Sequence, residues 1–184
     1  MGRKHVVLFT AAVVLLAAVT GFAQVRTVTP VKSLVPVSDG YNYRLHIDGV
    51  SGEGTGGYAG WIIATGFEQS MQRPVSAAGM TTGQPTVDAI TVYKHVDAAS
   101  PMLYQKCLGD ASISNAILVV VPKTAGPEKL RVEMSTAVVV SVRTFVDDRG
   151  NLVEAIELLP GRITWRYNLE GGGTIESHWS RSRD

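Results

Sequence analysis

The chain has 184 residues, 45% hydrophobic and 18% charged, and its 17 Lys and Arg nearly balance its 16 Asp and Glu to a formal charge of +1. The basic residues are scattered, and Arg181 and Arg183 near the end are too few to form a patch, so the electrostatic footprint of nucleic-acid binding is missing. One cysteine, Cys107, excludes an internal disulfide, and packing alone must hold the fold if the chain is exported.

In chain order the first element is a leader. Arg3, Lys4 and His5 make a basic start, an apolar run follows from Val6 to Val19, and Gly21 and Ala23 place small residues where a signal peptidase needs them. Residues 1–23 therefore read as a signal peptide cut after Ala23. The alternative is an uncleaved anchor, because the run begins to approach spanning length. No later apolar run is long enough to cross a bilayer, so the mature chain is expected to be exported, to the periplasm or outside the cell, with no membrane partner. Residues 24–40 carry Pro30 and Pro36 among β-branched residues and show no helical period. They read as an extended arm, either lying on a sheet edge or serving as a linker. Removing the leader leaves about 160 residues, enough for one domain with a substantial core, placed at 41–184.

From Tyr43 onward, strand patterns alternate with turn clusters: 43–47, 60–72, 86–95, 117–121, 129–146 and 152–167. Residues 69–84, with Pro74, Gly79 and Gly83, read as a long excursion loop. The expected fold is mainly β, a small antiparallel barrel with one short helix after the third strand. The helix follows a strand with almost no loop. Ile90, Val92 and His95 interleave with Thr91, Tyr93 and Lys94; then Ser100 suits a helix cap, Pro101 the first turn, and Gly109 a left-handed position past the last turn. Met102, Leu103, Cys107 and Leu108 give that helix an apolar side, with Gln105 and Lys106 facing away. About two turns are marginal alone, so the helix must dock on the sheet. Cys107 reads as a small apolar residue on the docked side, the alternative being an intermolecular bridge.

The strand starting near Lys129 first alternates Leu130, Val132 and Met134 with Arg131, Glu133 and Ser135, then becomes apolar on both faces through Ala137, Val138, Val139 and Val140. Either it passes into a doubly covered region or a neighbouring subunit covers its outer face. Asp147, Asp148, Arg149, Gly150 and Asn151 form the turn to its return strand.

The segment carrying Thr91, Tyr93, Lys94, Val96, Asp97, Ala99, Ser100, Pro101 and Leu103 resembles the haemolysin-coregulated protein family, Hcp, the tube protein of bacterial type VI secretion. Residues 43–61 look like that family's opening strand and Gly-Glu turn. Residues 129–167 are similar to its long central hairpin with an Ile163-x-Trp165-x-Tyr167 strand, and Gly172, Gly173 and Trp179 to its closing segment. The resemblance implies a non-enzymatic subunit that self-associates as hexameric rings stacking into a tube. Its implied partners are further copies of itself, type VI secretion components and effector proteins as cargo. Tube proteins are assembled in the cytoplasm and need no leader, so either this relative uses the fold outside the cytoplasm or the start is misassigned and the chain is cytoplasmic before firing.

Chemical signatures are weak beside this. Gly52, Gly54 and Gly57 satisfy G-x-G-x-x-G, but Trp61, Ile62 and Ile63 after them read as a strand, with no helix N-terminus for a pyrophosphate and no P-loop Lys. His46 and Asp48 share a strand face yet supply only two metal ligands, with His95, Asp97 or His178 as unsupported thirds. Ser100 lies in no G-x-S-x-G elbow, and Asp147 and Asp148 sit in a solvated turn. Trp61, Trp165 and Trp179 read as core or interface residues. No catalytic, cofactor or metal residues are assigned. The rival to the ring subunit is an exported small-ligand binding module or enzyme on the same barrel, which needs a pocket of convergent polar groups.

Overall fold

A computed structural model describes residues 40–109 and 111–181; the expected leader and all of the arm before Gly40 lie outside them. Ten strands and one helix follow in order: β1 (Tyr41–Ile47), β2 (Ile62–Glu68), β3 (Met71–Gln72), β4 (Thr86–Val87), β5 (Ile90–His95), α1 (Ser100–Leu108), β6 (Ile113–Pro122), β7 (Leu130–Val146), β8 (Leu152–Leu159), β9 (Arg162–Asn168) and β10 (Thr174–Ser180). Period-2 burial builds the core. Leu45 and Ile47 of β1, Ile62 and Ala64 of β2, Ile90 and Val92 of β5, Ala116 and Leu118 of β6, and Ile156 and Leu158 of β8 share one cluster.

The sheet order is β10-β9-β7-β6-β1-β2-β5-β8, and β8 returns to pair with β7. Six antiparallel strands, β7-β6-β1-β2-β5-β8, thus close a barrel, and β9 and β10 extend from β7 beyond it. Closure depends on β7. Its first half pairs with β6 (Leu130 opposite Val120) and with β9 (Leu130 opposite Tyr167), and its second half pairs with β8 out to Val146 opposite Leu152.

The register explains why 152–167 reads as one strand. Ser135 faces Arg162, and Val138 faces Leu159, so β8 and β9 run along β7 with no residue gained or lost across Pro160 and Gly161. The ribbon is interrupted there because Thr136 of β7 has φ of 50°, the sole non-glycine residue in the left-handed region among the described residues. A side chain on Gly161 would run into the Thr136 hydroxyl.

Two irregularities also resolve the doubly apolar stretch of β7. Val132 and Met134 point into the core, but beyond Thr136 the inward set is Ala137 and Val139, and beyond a register shift between Val139 and Ser141 it is Val142. The inward face switches parity twice, first at the left-handed Thr136 and then at the bulge that the register shift marks. Val138 and Val140 are consequently left outside, 37% and 45% exposed.

Elsewhere the expected elements are refined. The strand at 60–72 divides into β2 and β3, and that at 86–95 into β4 and β5. The excursion 69–84 is itself ladder-built, with Met71 opposite Val87 and a bridge from Val75 to Thr81. β10 was not expected as a strand. The helix ends differ from the capping scheme: Ser100 is the first helical residue rather than the cap, and Gly109 has an extended φ of −99° rather than a left-handed one. Of the expected apolar side only Leu103 is buried; Cys107 is half-buried against the core, whereas Met102 and Leu108 face solvent. α1 is thus seated by one leucine and by polar contacts.

Gly161→Ala is expected to destabilise the fold by about 1–3 kcal/mol, the range for overpacking. Thr136→Gly removes both the hydroxyl in the way and the left-handed strain, so the double variant should recover part of that loss. Denaturant melts of the two singles and the double check it; strictly additive losses would sink the corner argument.

Candidate functional site

Among the described residues the buried charged groups meet beneath α1, whereas Glu128, Arg131, Glu133, Arg166 and Glu176 form a partly exposed ion-pair network around β7, β9 and β10. Lys94 of β5 lies directly opposite Glu154 of β8, and both side chains have no exposed area. The Lys94 ammonium donates to Glu154 Oε2 at 2.7 Å and Ser100 Oγ at 2.9 Å, and lies 2.7 Å from Asp97 Oδ1, so its three protons meet three acceptors. Ser100 Oγ donates to Glu154 Oε2 at 2.8 Å and accepts the Asp97 N–H at 3.1 Å. Tyr104 donates its hydroxyl proton to Glu154 Oε1. Asp97 Oδ1 also accepts the Ala99 N–H at 2.9 Å, shaping the turn into the helix.

A serine beside a lysine can be a nucleophile and its base, and here the geometry argues against it. The Lys94 ammonium is held between two carboxylates and has no lone pair to offer. Ser100 is 2% exposed, which leaves no approach for a substrate. What the cluster does is mechanical: it ties α1, through Ser100 and Tyr104, to strands β5 and β8. Burial pushes the Glu154 carboxyl up, but hydrogen bonds from Lys94, Tyr104 and Ser100 and the Lys94 charge outweigh it and hold the group below its ordinary value. The same bond to Glu154 raises the Tyr104 hydroxyl. Treating Ser100 as a cap missed this role. The signal was available in two charges set inside apolar strand patterns, Lys94 after ITVY and Glu154 before AIELL.

The remaining candidates stay apart. His46 Nε2 lies 3.3 Å from Asp48 Oδ1, and its ring rests 5.3 Å from that of Trp61. His95 is exposed, Asp97 is engaged by Lys94, and His178 sits on β10; no set of three or more ligating groups occurs among the described residues. Asp147 braces its own turn by accepting the Arg149 and Asn151 N–H groups, and the Asn151 bonds lower its carboxyl value. Gly52 and Gly54 spend their N–H groups on Gly60 and Trp61 carbonyls at 2.8 Å, and a Cβ on either would collide with the 58–62 backbone. Those glycines serve a close backbone crossing. Trp165 packs against the core and donates to Gln69 Oε1 at 2.9 Å, while Trp179 lies beside Arg181.

Solvent-facing apolar groups are the other feature. Val138 and Val140 stand on the outside of β7, Met71, Val75 and Met80 on the 69–84 excursion, and Ile175 on β10. Among the described residues β10 bonds to β9 alone, so its second edge carries no described strand.

Glu154→Gln or Lys94→Met alone should cost about 3–5 kcal/mol, because each leaves a buried charge uncompensated. The double variant Lys94→Met with Glu154→Leu should cost less than the sum of the singles. Because folding depresses the Glu154 carboxyl, its contribution is fully present above the ordinary carboxylate value and is lost as pH falls through the lower folded value. Chemical melts from neutral to acid pH should fall less steeply in Glu154→Gln; an unchanged slope would remove the latch from acid stability.

The family model described as "Type VI secretion system effector, Hcp" matches residues 44–167. Among solved structures, the chain is similar to Hcp1 from Salmonella typhimurium, at 24% identity and a TM-score of 0.65 over 77% of this chain and 94% of that one. It is also similar to a structure described as a type six secretion system protein, at 21% identity, TM-score 0.69, and 76% and 95% coverage. A type VI secretion system effector from Yersinia pestis aligns at 19% identity, TM-score 0.64, and 76% and 99% coverage. No curated protein gives a significant match. With its family match spanning the barrel from β1 to β9 and the same fold in these structures, the chain belongs to the Hcp family of type VI secretion system effectors.

Proposed function

We propose that this chain is a non-enzymatic ring subunit: six copies close side by side, rings stack into a tube, and the lumen accommodates protein cargo. The observation that carries the reading is apolar surface standing in solvent on ordered strands, Val138 and Val140 on β7 and Met71, Val75 and Met80 on the strand-built excursion. A lone subunit gains nothing from them, and exposed apolar patches on rigid elements suit protein contacts. The β7 pair is suited to contacts within a ring and the excursion to contacts between rings. The rival, an exported ligand-binding module or enzyme, needs convergent polar groups in an open pocket, and the converging groups beneath α1 are sealed.

Native mass measurement and electron microscopy of the protein recovered from cells should show a hexameric ring, and a strictly monomeric species at high concentration would count decisively against it. Val138→Asp with Val140→Asp should leave the melting transition nearly in place, within about 0.5 kcal/mol for surface changes, while breaking the ring.

The leader is read as functional, so the protein acts outside the cytoplasm after removal of residues 1–23. Among the described residues no helix is long and apolar enough to cross a membrane. N-terminal sequencing of cell fractions is expected to give Gln24 first in the exported fraction; an intact Met1 in the cytosol would overturn export.

A further inference from the structure

Among the described residues β10 is an open sheet edge seven residues long, Thr174–Ser180, and its pairing with β9 settles which of its backbone groups are spare. The register runs without a break from Thr174 opposite Asn168 to Ser180 opposite Arg162. Just beyond its two ends the Leu169 N–H donates to the Gly173 carbonyl at 3.0 Å and the Arg181 N–H to the Gly161 carbonyl at 2.8 Å. Antiparallel ladders alternate bonded and non-bonded pairs, so Ile175, Ser177 and Trp179 spend their N–H and C=O groups on β9. Thr174, Glu176, His178 and Ser180 turn theirs to the open edge. The usual protections of an edge are missing, since no proline, lysine or bulge lies in β10. Ile175, 58% exposed, shares one face with Ser177 and Trp179, while Glu176, held by Arg166 at 2.5 Å, shares the other with His178.

We propose that β10 pairs with β10 of a second copy, antiparallel about a two-fold axis through Ser177, joining the two sheets edge to edge. The ladder allows few registers. Only residues that turn their groups outward can form bonded pairs, so the axis must pass through a residue and not between two. An axis through Glu176 sets that carboxylate opposite its own copy, one through His178 sets two imidazoles opposite each other, and axes further out leave fewer bonded pairs. The axis through Ser177 suits every position: Glu176 faces the second copy's His178, Thr174 faces its Ser180, Ile175 faces its Trp179, and the two Ser177 residues meet at the centre. Every outward residue then enters a bonded pair. The exposed Ile175 gains an aromatic partner across a non-bonded pair, where side chains approach closest. Strand addition of this kind draws affinity from main-chain bonds and specificity from alternate side chains. A two-fold contact is isologous and differs from the head-to-tail contact that closes a ring, so the inference does not depend on ring formation. One strand pair is small beside the roughly 1,600 Å² of a standard stable interface, so covalent trapping reads it best.

Oxidation of the full protein as recovered from cells, in a Cys107→Ser background, tests it. Ser177→Cys should give a disulfide-linked dimer, because facing residues of a non-bonded pair lie about 4.5 Å apart at Cα, within disulfide range. Ser180→Cys sets its two copies about 20 Å apart in this register and should link at least tenfold less. No dimer from Ser177→Cys, the result if another segment or another protein fills the edge, would overturn the pairing, as would equal linking at both positions. His178→Glu places like charges opposite each other on both sides of the axis and should lower the Ser177→Cys yield several-fold without moving the melting transition; an unchanged yield would overturn the register. In Val138→Asp with Val140→Asp, which should break the proposed ring, the Ser177→Cys link should persist. Its loss there would overturn the pairing as a contact of its own, whereas the ring reading stands or falls on the native mass.

Discussion

Barrel closure places its whole burden on β7. A strand has two edges, and β7 must offer one to β6 and the other to β8 and β9 in succession, while keeping its apolar side chains on the inner face. A straight ladder with strict alternation cannot turn the corner between the barrel and the β9–β10 extension. The left-handed Thr136 and the shift near Val140 make that turn, at the expense of local strain and of leaving Val138 and Val140 in solvent. The exposed apolar pair on β7 is thus a geometric by-product of the way the barrel is closed.

The helix obeys a different logic. Nine residues hold too few backbone bonds to persist in water, and α1 buries one large apolar side chain, Leu103. The Lys94–Glu154 cluster supplies the missing attachment. A buried ion pair is weak as a source of net stability, since removing both charges from water costs about what their attraction returns. Its value is directional. Lys94 finds three acceptors only when Asp97, Ser100 and Glu154 are all in position, so a misdocked helix leaves a buried ammonium unsatisfied. Such a latch specifies where the helix sits more than it strengthens the fold.

Strand content, the central hairpin and family were legible because they rest on local signals: β-branched alternation, a turn of Asp, Gly and Asn, and an ordered string of residues from Thr91 to Leu103. What could not be read was set by tertiary contact. The first parity switch in β7 lies where Thr136 opposes Gly161, two residues 25 positions apart that no periodicity connects, and the second at the register shift between Val139 and Ser141. Ser100 reads as a cap in isolation, and only its juxtaposition with Glu154, 54 residues later, turns it into a buried bridge. β10 escaped notice because an edge strand with both faces wet carries no apolar alternation.

The single cysteine bears on how the proposed leader and the family fit together. A domain with one half-buried cysteine gains nothing from an oxidising compartment and loses nothing in a reducing one. Its described stabilising features are a closed hydrogen-bonded barrel, an apolar core and a sealed ion pair, none sensitive to redox conditions. The fold can therefore serve on either side of the inner membrane unchanged, and residues 1–39, ahead of the family match, are the part of the chain that can assign it to one. Export, as proposed, would then rest on that leading segment, which the family match leaves out.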